Sequence, residues 1–475
     1  MISTPVSHSS VPKVVILGAG VSGLSAAYEL TRRMERERLK VDITVLEASQ
    51  YVGGKVKTET AQGFIFEAGP DSFITAKPHA LELISELGLS EQLLPTNPGP
   101  QTVYVYSAGR LRPVPEGAGL APGRLWPFLS SGLFSWKAKL RLACEPLVPR
   151  ATGEPDESIA AFIRRRLGPE ILEKMAGPML GGIYAGDCEN LSLQSTFPQL
   201  KEMEQRGGLI KAMGKARRPS SGDKTMFMTL RGGLACLTES LALRLPSGTV
   251  RTGATVRKLE RGGGFWQVRT SDGVLTADAV ISALPAPILA QAADDLDFEL
   301  ASVLKEIPFV STATVSLVFE SRDFSPALRG FGFLVPREEG KKIVAGTYSS
   351  AKFPGRAPEG QVLLRCFLGG AGREEIAEAD EESISSCALS EMREIFKSPA
   401  LKPRRARVFK WPKANPQYTV GHGLRLKRIE SCLRGHPGLV LAGCSYYGVG
   451  LPDCIHSGRL AGERIFNSML RRRYV

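Results

Sequence analysis

The sequence predicts an α/β fold whose parallel sheet is assembled from separated stretches of chain, and three observations predict it. A short apolar, β-branched run at residues 14–17 leads into Gly18-Ala19-Gly20-Val21-Ser22-Gly23 and then into helical composition at 24–33. A second apolar run, 41–46, ends on an acid, Glu47. Two further runs of buried-strand character, 280–284 and 439–442, stand far downstream, the latter followed by a glycine-rich turn and a helical stretch. Strand, glycine turn, helix and strand is the opening of a Rossmann-like unit, and the distant runs make that domain discontinuous.

The remaining elements follow in order. Residues 81–210 read as a mostly helical insertion, with helical stretches at 81–87 and 158–167 and Pro-rich links at 95–100 and 113–122. Mixed α/β character returns at 226–285, with a turn at Gly232-Gly233, a helix through Leu243 and strands near Val256 and at 265–270. The runs 309–319 and 362–368 alternate as in an open antiparallel sheet that could cover a ligand. The expected division is a dinucleotide domain from 1–80, 211–295 and 405–475, the helical insertion 81–210, and a substrate sheet at 296–404.

At 475 residues and 43% hydrophobic content the chain can fill real cores, which argues against disorder. Its eight cysteines form no CxxC pair, so reduced thiols are expected and a zinc site is not. Residues 1–11 resemble no signal peptide, and no run of 18 apolar residues occurs, so a cytoplasmic protein is expected. The net charge of +13 comes from scattered clusters at 164–166, 211–218, 404–407 and 471–473. Scattered clusters without a nucleic-acid module argue against nucleic acid; acidic lipid headgroups or a small polyanionic substrate would use the same field.

The glycine motif has its full context. The first glycine makes the tight turn, the second lets backbone approach a pyrophosphate, and the third lets helix and strand pack closely. The pyrophosphate would sit on the helix N-terminus, and Glu47 would accept hydrogen bonds from ribose hydroxyls. FAD is favoured over NAD by Gly53-Gly54-Lys55, a second glycine turn with a cation, and by the absence of a second fingerprint for a nicotinamide.

The stretches GAGVSGLSAAYEL, ITVLEA, VGGKVKT and FEAGPDSF resemble the flavin oxidase family of amine oxidases, phytoene desaturases and protoporphyrinogen oxidases. Three later segments resemble the protoporphyrinogen/coproporphyrinogen oxidases in particular. They are Gly182 to Asp187 with Thr196-Phe197-Pro198; Trp411 with Pro416-Gln417-Tyr418 and Gly421-His422; and Gly448 to Ile455. The resemblance covers nearly the whole chain. It implies that Gly18, Ala19, Gly20, Val21, Ser22, Gly23, Glu47, Ala48 and Lys55 hold pyrophosphate and ribose, that Gly69, Pro70, Asp71 and Ser72 approach the flavin, and that Val256 meets the adenine. Trp411, Val449, Gly450 and Leu451 would frame the isoalloxazine, with the helix starting at Leu451 offering N–H donors where negative charge builds on reduction. Phe331, Gly332, Leu334, Phe367 and Leu368 are the implied substrate contacts.

The implied reaction is oxidation of a porphyrinogen by hydride transfer to flavin N5, with dioxygen as reoxidant, hydrogen peroxide as product and six electrons removed in three rounds. No catalytic acid, base or nucleophile is indicated. Many protoporphyrinogen-type members carry an arginine before the Tyr-x-Tyr strand to hold a propionate, and this chain has Val103 there, which favours coproporphyrinogen III. A ferrochelatase is a partner to consider, as is a membrane surface, through Trp126, Phe128, Leu129, Phe134 and Trp136 among Arg124, Lys137, Lys139 and Arg141. Those aromatics serve equally as core or substrate lining. His422 is expected to be structural, and Cys444 and Cys454, which flank the flavin turn, to pack as buried thiols. An amine oxidase or carotenoid desaturase would keep the N-terminal fingerprint; a flavin-free chaperone of the same fold would not need its intact glycines.

Overall fold

The computed structural model describes residues 11–115, 125–151, 156–215, 225–324 and 328–473. The end of the 113–122 link, Arg124 and the basic residues 216–218 lie outside them.

Lys13–Leu17 is the middle strand of a five-stranded parallel sheet, flanked by Asp42–Leu46 and Val250–Arg251 on one side and by Ala279–Ser282 and Leu439–Leu441 on the other. Val14, Val15, Ile16 and Leu17 are all buried, because both faces of the sheet are covered. That explains a continuous apolar run rather than an alternating one. One face carries two long helices, α1 (Val21–Arg36) and α2 (Leu451–Arg473). Helices Ala286–Ala292 and Phe298–Lys305 and a three-stranded antiparallel sheet cover the other. α2 lies directly on α1: a Cβ at Gly458 would come within 2.1 Å of Ser22 O. Arg459 of α2 adds a bond to buried Glu29 of α1, at 3.1 Å.

The second sheet has seven strands, in the order Arg405–Pro416, Phe309–Glu320, Gln361–Gly369, Ile343–Tyr348, Gly332–Leu334, Val103–Ser107 and Arg110–Pro113. It is mixed rather than antiparallel throughout, since Gly332–Leu334 runs parallel to Val103–Ser107. It also draws strands from outside 296–404. Arg405–Pro416 covers the edge of Phe309–Glu320, whose backbone groups would otherwise be left as an open template. Helix Glu381–Ile395, capped by Asp380 through a 2.9 Å bond from Ser383 N, packs on one face.

The helical region packs around Phe128, Phe162, Ile163, Met175 and Leu180, all fully buried. Its ionic knot joins buried Arg166 to Glu145, and Arg165 to Glu204 at 2.6 Å. Phe128 and Phe134 belong to this core, whereas Trp126 and Trp136 are 77% and 81% exposed.

Candidate dinucleotide and substrate site

The three fingerprint glycines take three different geometries. Gly18 turns the chain with φ of +95°. A Cβ at Gly23 would lie 1.9 Å from Gly18 O, so the helix can approach the strand only without a side chain. At Gly20 a Cβ would meet nothing within 4 Å, which marks open space in front of the helix. Gly20 heads α1 without any capping side chain, leaving the first N–H groups and the positive end of the dipole for an anion.

Glu47 is fixed beside that opening. Its Oε2 accepts from Ala19 N at 2.9 Å, and Oε1 accepts from the Ser49 amide and hydroxyl, each at 2.9 Å. Ala48 is exposed next to it, and Ala254 N donates to Glu47 O at 2.9 Å, which sets the strand beginning at Val256 alongside. Gly53 N donates to Ala19 O at 2.8 Å and brings the second glycine turn against the first. Lys55 follows, its Nζ 2.6 Å from Ala414 O. These residues fit a dinucleotide: an uncapped helix start, a space with no side chain in it, and an oriented carboxylate.

Residues 67–72 form the adjoining wall. Ala68 O accepts from Trp411 Nε1 at 2.9 Å and Thr314 Oγ1 at 3.0 Å, and Arg365 donates to the carbonyls of both Ala68 and Gly69. Pro70 is half-buried. Asp71 faces Lys352 Nζ at 3.2 Å, and Ser72 Oγ donates to it at 2.6 Å. Burial pushes the Asp71 carboxyl up, but Lys352, Arg365 and the Ser72 bond outweigh it and hold the group at about 2. Glu67 goes the other way: burial raises it to about 7 despite bonds from Thr58 and Leu234 and the nearby guanidinium of Arg356. The ammonium of Lys352 lies 4.9 Å from the Phe227 ring and 5.9 Å from Phe331. Sequence reasoning did not single out Lys352, Arg356, Arg365 or Glu67; Glu67 stands inside the FEAGPDSF stretch, while the other three lie in no motif.

The implied substrate residues separate. Phe331 joins the Lys352 cluster, and Phe367 lies under the Arg365 guanidinium at 4.6 Å. Gly332 stands opposite Val103 in the parallel pair. Leu334 turns toward the helical region, where a Cβ on Gly182 would be 3.6 Å from it. Leu368 is fully buried with Ile384 and Ala388 on the opposite face of the sheet, away from Phe367.

At the far end, Val449, Gly450 and Leu451 lead into α2, and Gly448 takes φ of +129°. Tyr418 OH donates to Cys444 O at 2.6 Å and accepts from Gly448 N at 2.8 Å, pinning this turn. His422 stacks on Tyr418 at 4.2 Å, and its Nε2 donates to Tyr446 O at 3.0 Å. Burial lowers its pKa to about 4, so the ring is neutral and supports the turn.

The chain matches the flavin containing amine oxidoreductase family over residues 21–466. It is 38% identical to coproporphyrinogen III oxidase of Bacillus subtilis (strain 168) over 458 residues, covering 94% of this chain and 96% of that one. The chain belongs to the protoporphyrinogen/coproporphyrinogen oxidase family. It is an FAD-dependent oxidoreductase. Human protoporphyrinogen oxidase is 34% identical over 492 residues, 96% of this chain and 98% of that one. A crystal structure from Exiguobacterium sp. 255-15 superposes with a TM-score of 0.86 at 32% identity, covering 97% and 99% of the two chains. Cyclohexylamine oxidase from Brevibacterium oxydans IH-35A shares the fold, with a TM-score of 0.71 at 18% identity over 97% and 100%.

Proposed function

We propose that this family member oxidises coproporphyrinogen III to coproporphyrin III with dioxygen as acceptor. The observation that carries the reading is the full-length likeness to the Bacillus subtilis coproporphyrinogen III oxidase. Val103 supports it. It sits opposite Gly332, beside Phe331, at the position where the family resemblance implies a propionate-holding arginine in many protoporphyrinogen-type members, and it offers none.

Bound FAD supplies the hydride acceptor. The protein's part is placement and exclusion of water. Gly18 to Gly23, Glu47, Ala48, Lys55 and Val256 would hold the dinucleotide end; Gly69 to Ser72, Trp411 and Val449 to Leu451 would frame the flavin ring. Phe331, Phe367 and Phe227 would face the tetrapyrrole, with Lys352 and Arg365 keeping the wall at 67–72 rigid. The excess of buried cations over carboxylates there also suits an acidic substrate.

The test is peroxide release and porphyrin fluorescence from the purified protein, with coproporphyrinogen III and protoporphyrinogen IX in parallel under air. Faster turnover of coproporphyrinogen is expected; preference for protoporphyrinogen would overturn the substrate, and a yellow protein inert to both would overturn the reading.

Peripheral contact with an anionic membrane belongs to the same proposal. Trp126, Trp136, Leu140 and Leu147 are all exposed on the helical region beside Lys137 and Arg141. No helix among the described residues is long and apolar enough to cross a membrane. Wild-type protein should co-sediment with phosphatidylglycerol vesicles and a Trp136→Ser variant should do so less; equal sedimentation would remove this face from the interface.

A further inference from the structure

Two cysteines meet where α1 and α2 begin. Cys444 follows the strand Leu439–Leu441, and Cys454 lies in the first turn of α2. Both are free thiols. Lys55 Nζ stands 3.3 Å from Cys444 Sγ and 2.6 Å from Ala414 O. The Cys454 thiol donates to Gly448 O at 3.8 Å and lies beside the Cys444 sulfur. The pair borders the cradle itself: a Cβ on the neighbouring Gly443 would lie 3.7 Å from Ser22 Oγ, in the fingerprint.

The two sulfurs differ in character. The bond donated by Cys454, followed by the charge of Lys55, holds Cys444 below the ordinary thiol range against the effect of burial. The same contact, with burial, pushes Cys454 up. Cys188 and Cys366, by contrast, are pushed up to about 12, chiefly by burial.

We propose that Cys444 and Cys454 are a peroxide-oxidisable dithiol in the wall of the dinucleotide cradle, with Cys444 the attacking sulfur and Cys454 the resolving one. The Cys444 thiolate attacks one oxygen of hydrogen peroxide, the O–O bond breaks, and hydroxide leaves; it takes up the proton that Cys444 released on ionising and departs as water, with Cys444 left as the sulfenic acid. The Cys454 sulfur then attacks the sulfenic sulfur, the S–O bond breaks, and the Cys454 proton leaves with that oxygen as a second water. In balance, two thiols and one peroxide become one disulfide and two waters, with two electrons passing from sulfur to oxygen. The oxidase reading above matters only as a source of peroxide at this wall, and the location beside bound FAD rests on it.

The test uses added peroxide, so failure of the oxidase reading does not affect it. Flavin-free and flavin-loaded protein are each treated with one equivalent of hydrogen peroxide, alkylated, and mapped by mass spectrometry. Loss of both thiols and appearance of a cross-linked peptide joining Cys444 to Cys454 is expected. In Cys454→Ser the reaction should stop at a Cys444 sulfenic acid trapped by dimedone, and in Cys444→Ala the Cys454 thiol should survive. Full alkylation of Cys444 after peroxide in both forms, or oxidation of Cys454 in Cys444→Ala, would overturn the proposal. The alkylation rate of Cys444 against pH gives an independent readout: a midpoint below 7 is expected, and one at 8 or above would show an ordinary thiol and overturn the assignment of the attacking sulfur.

Discussion

The cradle at residues 18–23 and the wall at 67–72 would meet the same proposed ligand by opposite means. In the cradle the chain presents backbone: an uncapped helix start, a glycine with open space above it, and a carboxylate fixed by amide donors. In the wall it presents side-chain charge, with Asp71 against Lys352 and two carbonyls gripped by Arg365. A backbone site is encoded in consecutive residues, whereas a charge site is encoded by whatever the tertiary fold brings near. The first is legible in sequence as a whole; of the second only the 66–73 stretch is, and its partners Lys352 and Arg365 are not.

The largest effect should separate two glycines only a few residues apart. Gly23→Val puts methyl groups where a Cβ is already 1.9 Å from Gly18 O, and a loss of about 4 kcal/mol or more is expected in urea denaturation. Gly20→Trp fills open space, so circular dichroism and cooperative melting should survive while the purified protein is colourless. A yellow Gly20→Trp protein would break the backbone-site argument.

Lys352→Met tests the wall. It strands a largely buried carboxylate and should cost about 3 kcal/mol, as breaking a buried pair does. The pH dependence sharpens the point. Asp71 is held at about 2 against an ordinary 3.8, so its stabilising contribution is present above the unfolded value and is lost as pH falls through the folded one. Wild-type stability from this group should be flat above about pH 5 and decline between there and pH 2; in the variant the folded value loses its largest lowering partner and moves toward or past the unfolded one, so the decline should shrink or reverse. Coincident profiles would show that the pair contributes nothing.

The smallest expected effect is at Glu47→Gln. The amide oxygen keeps one acceptor but loses the charge, and FAD affinity should weaken about tenfold, or ~1.4 kcal/mol, by titration of flavin-free protein. Unchanged affinity would reduce Glu47 to a brace for Ala19 and Ser49.

The same contrast governs what could be read before the structure was seen. The parallel sheet, α1 and the glycine turn were legible because each is a local pattern with a fixed period or a fixed turn. Lys352 and Arg365 were not, because they reach Asp71 and Gly69 across separations of 281 and 296 residues. Leu368 shows a different effect. Phe367 and Leu368 were grouped as substrate contacts, yet adjacent residues of a strand point to opposite faces, and only Phe367 lies on the side of Arg365. The aromatic stretch at 126–136 divided in the same way, with Phe128 and Phe134 inward and Trp126 and Trp136 outward. The strand at Val103–Ser107 is legible from its Tyr-x-Tyr pattern, but its parallel pairing with Gly332–Leu334 is not, because the two segments lie far apart in the chain.

The seating of α2 on α1 through Gly458 has a consequence for biogenesis. The fingerprint strand and helix leave the ribosome early, but the helix that completes their apolar face and the turn before it are synthesised hundreds of residues later. During that interval, at roughly 5–20 residues added per second, the nascent N-terminal segment exposes Leu24, Ala27 and Leu30 without their partner. Cofactor capture that uses the 449–451 turn would therefore wait until α2 has emerged.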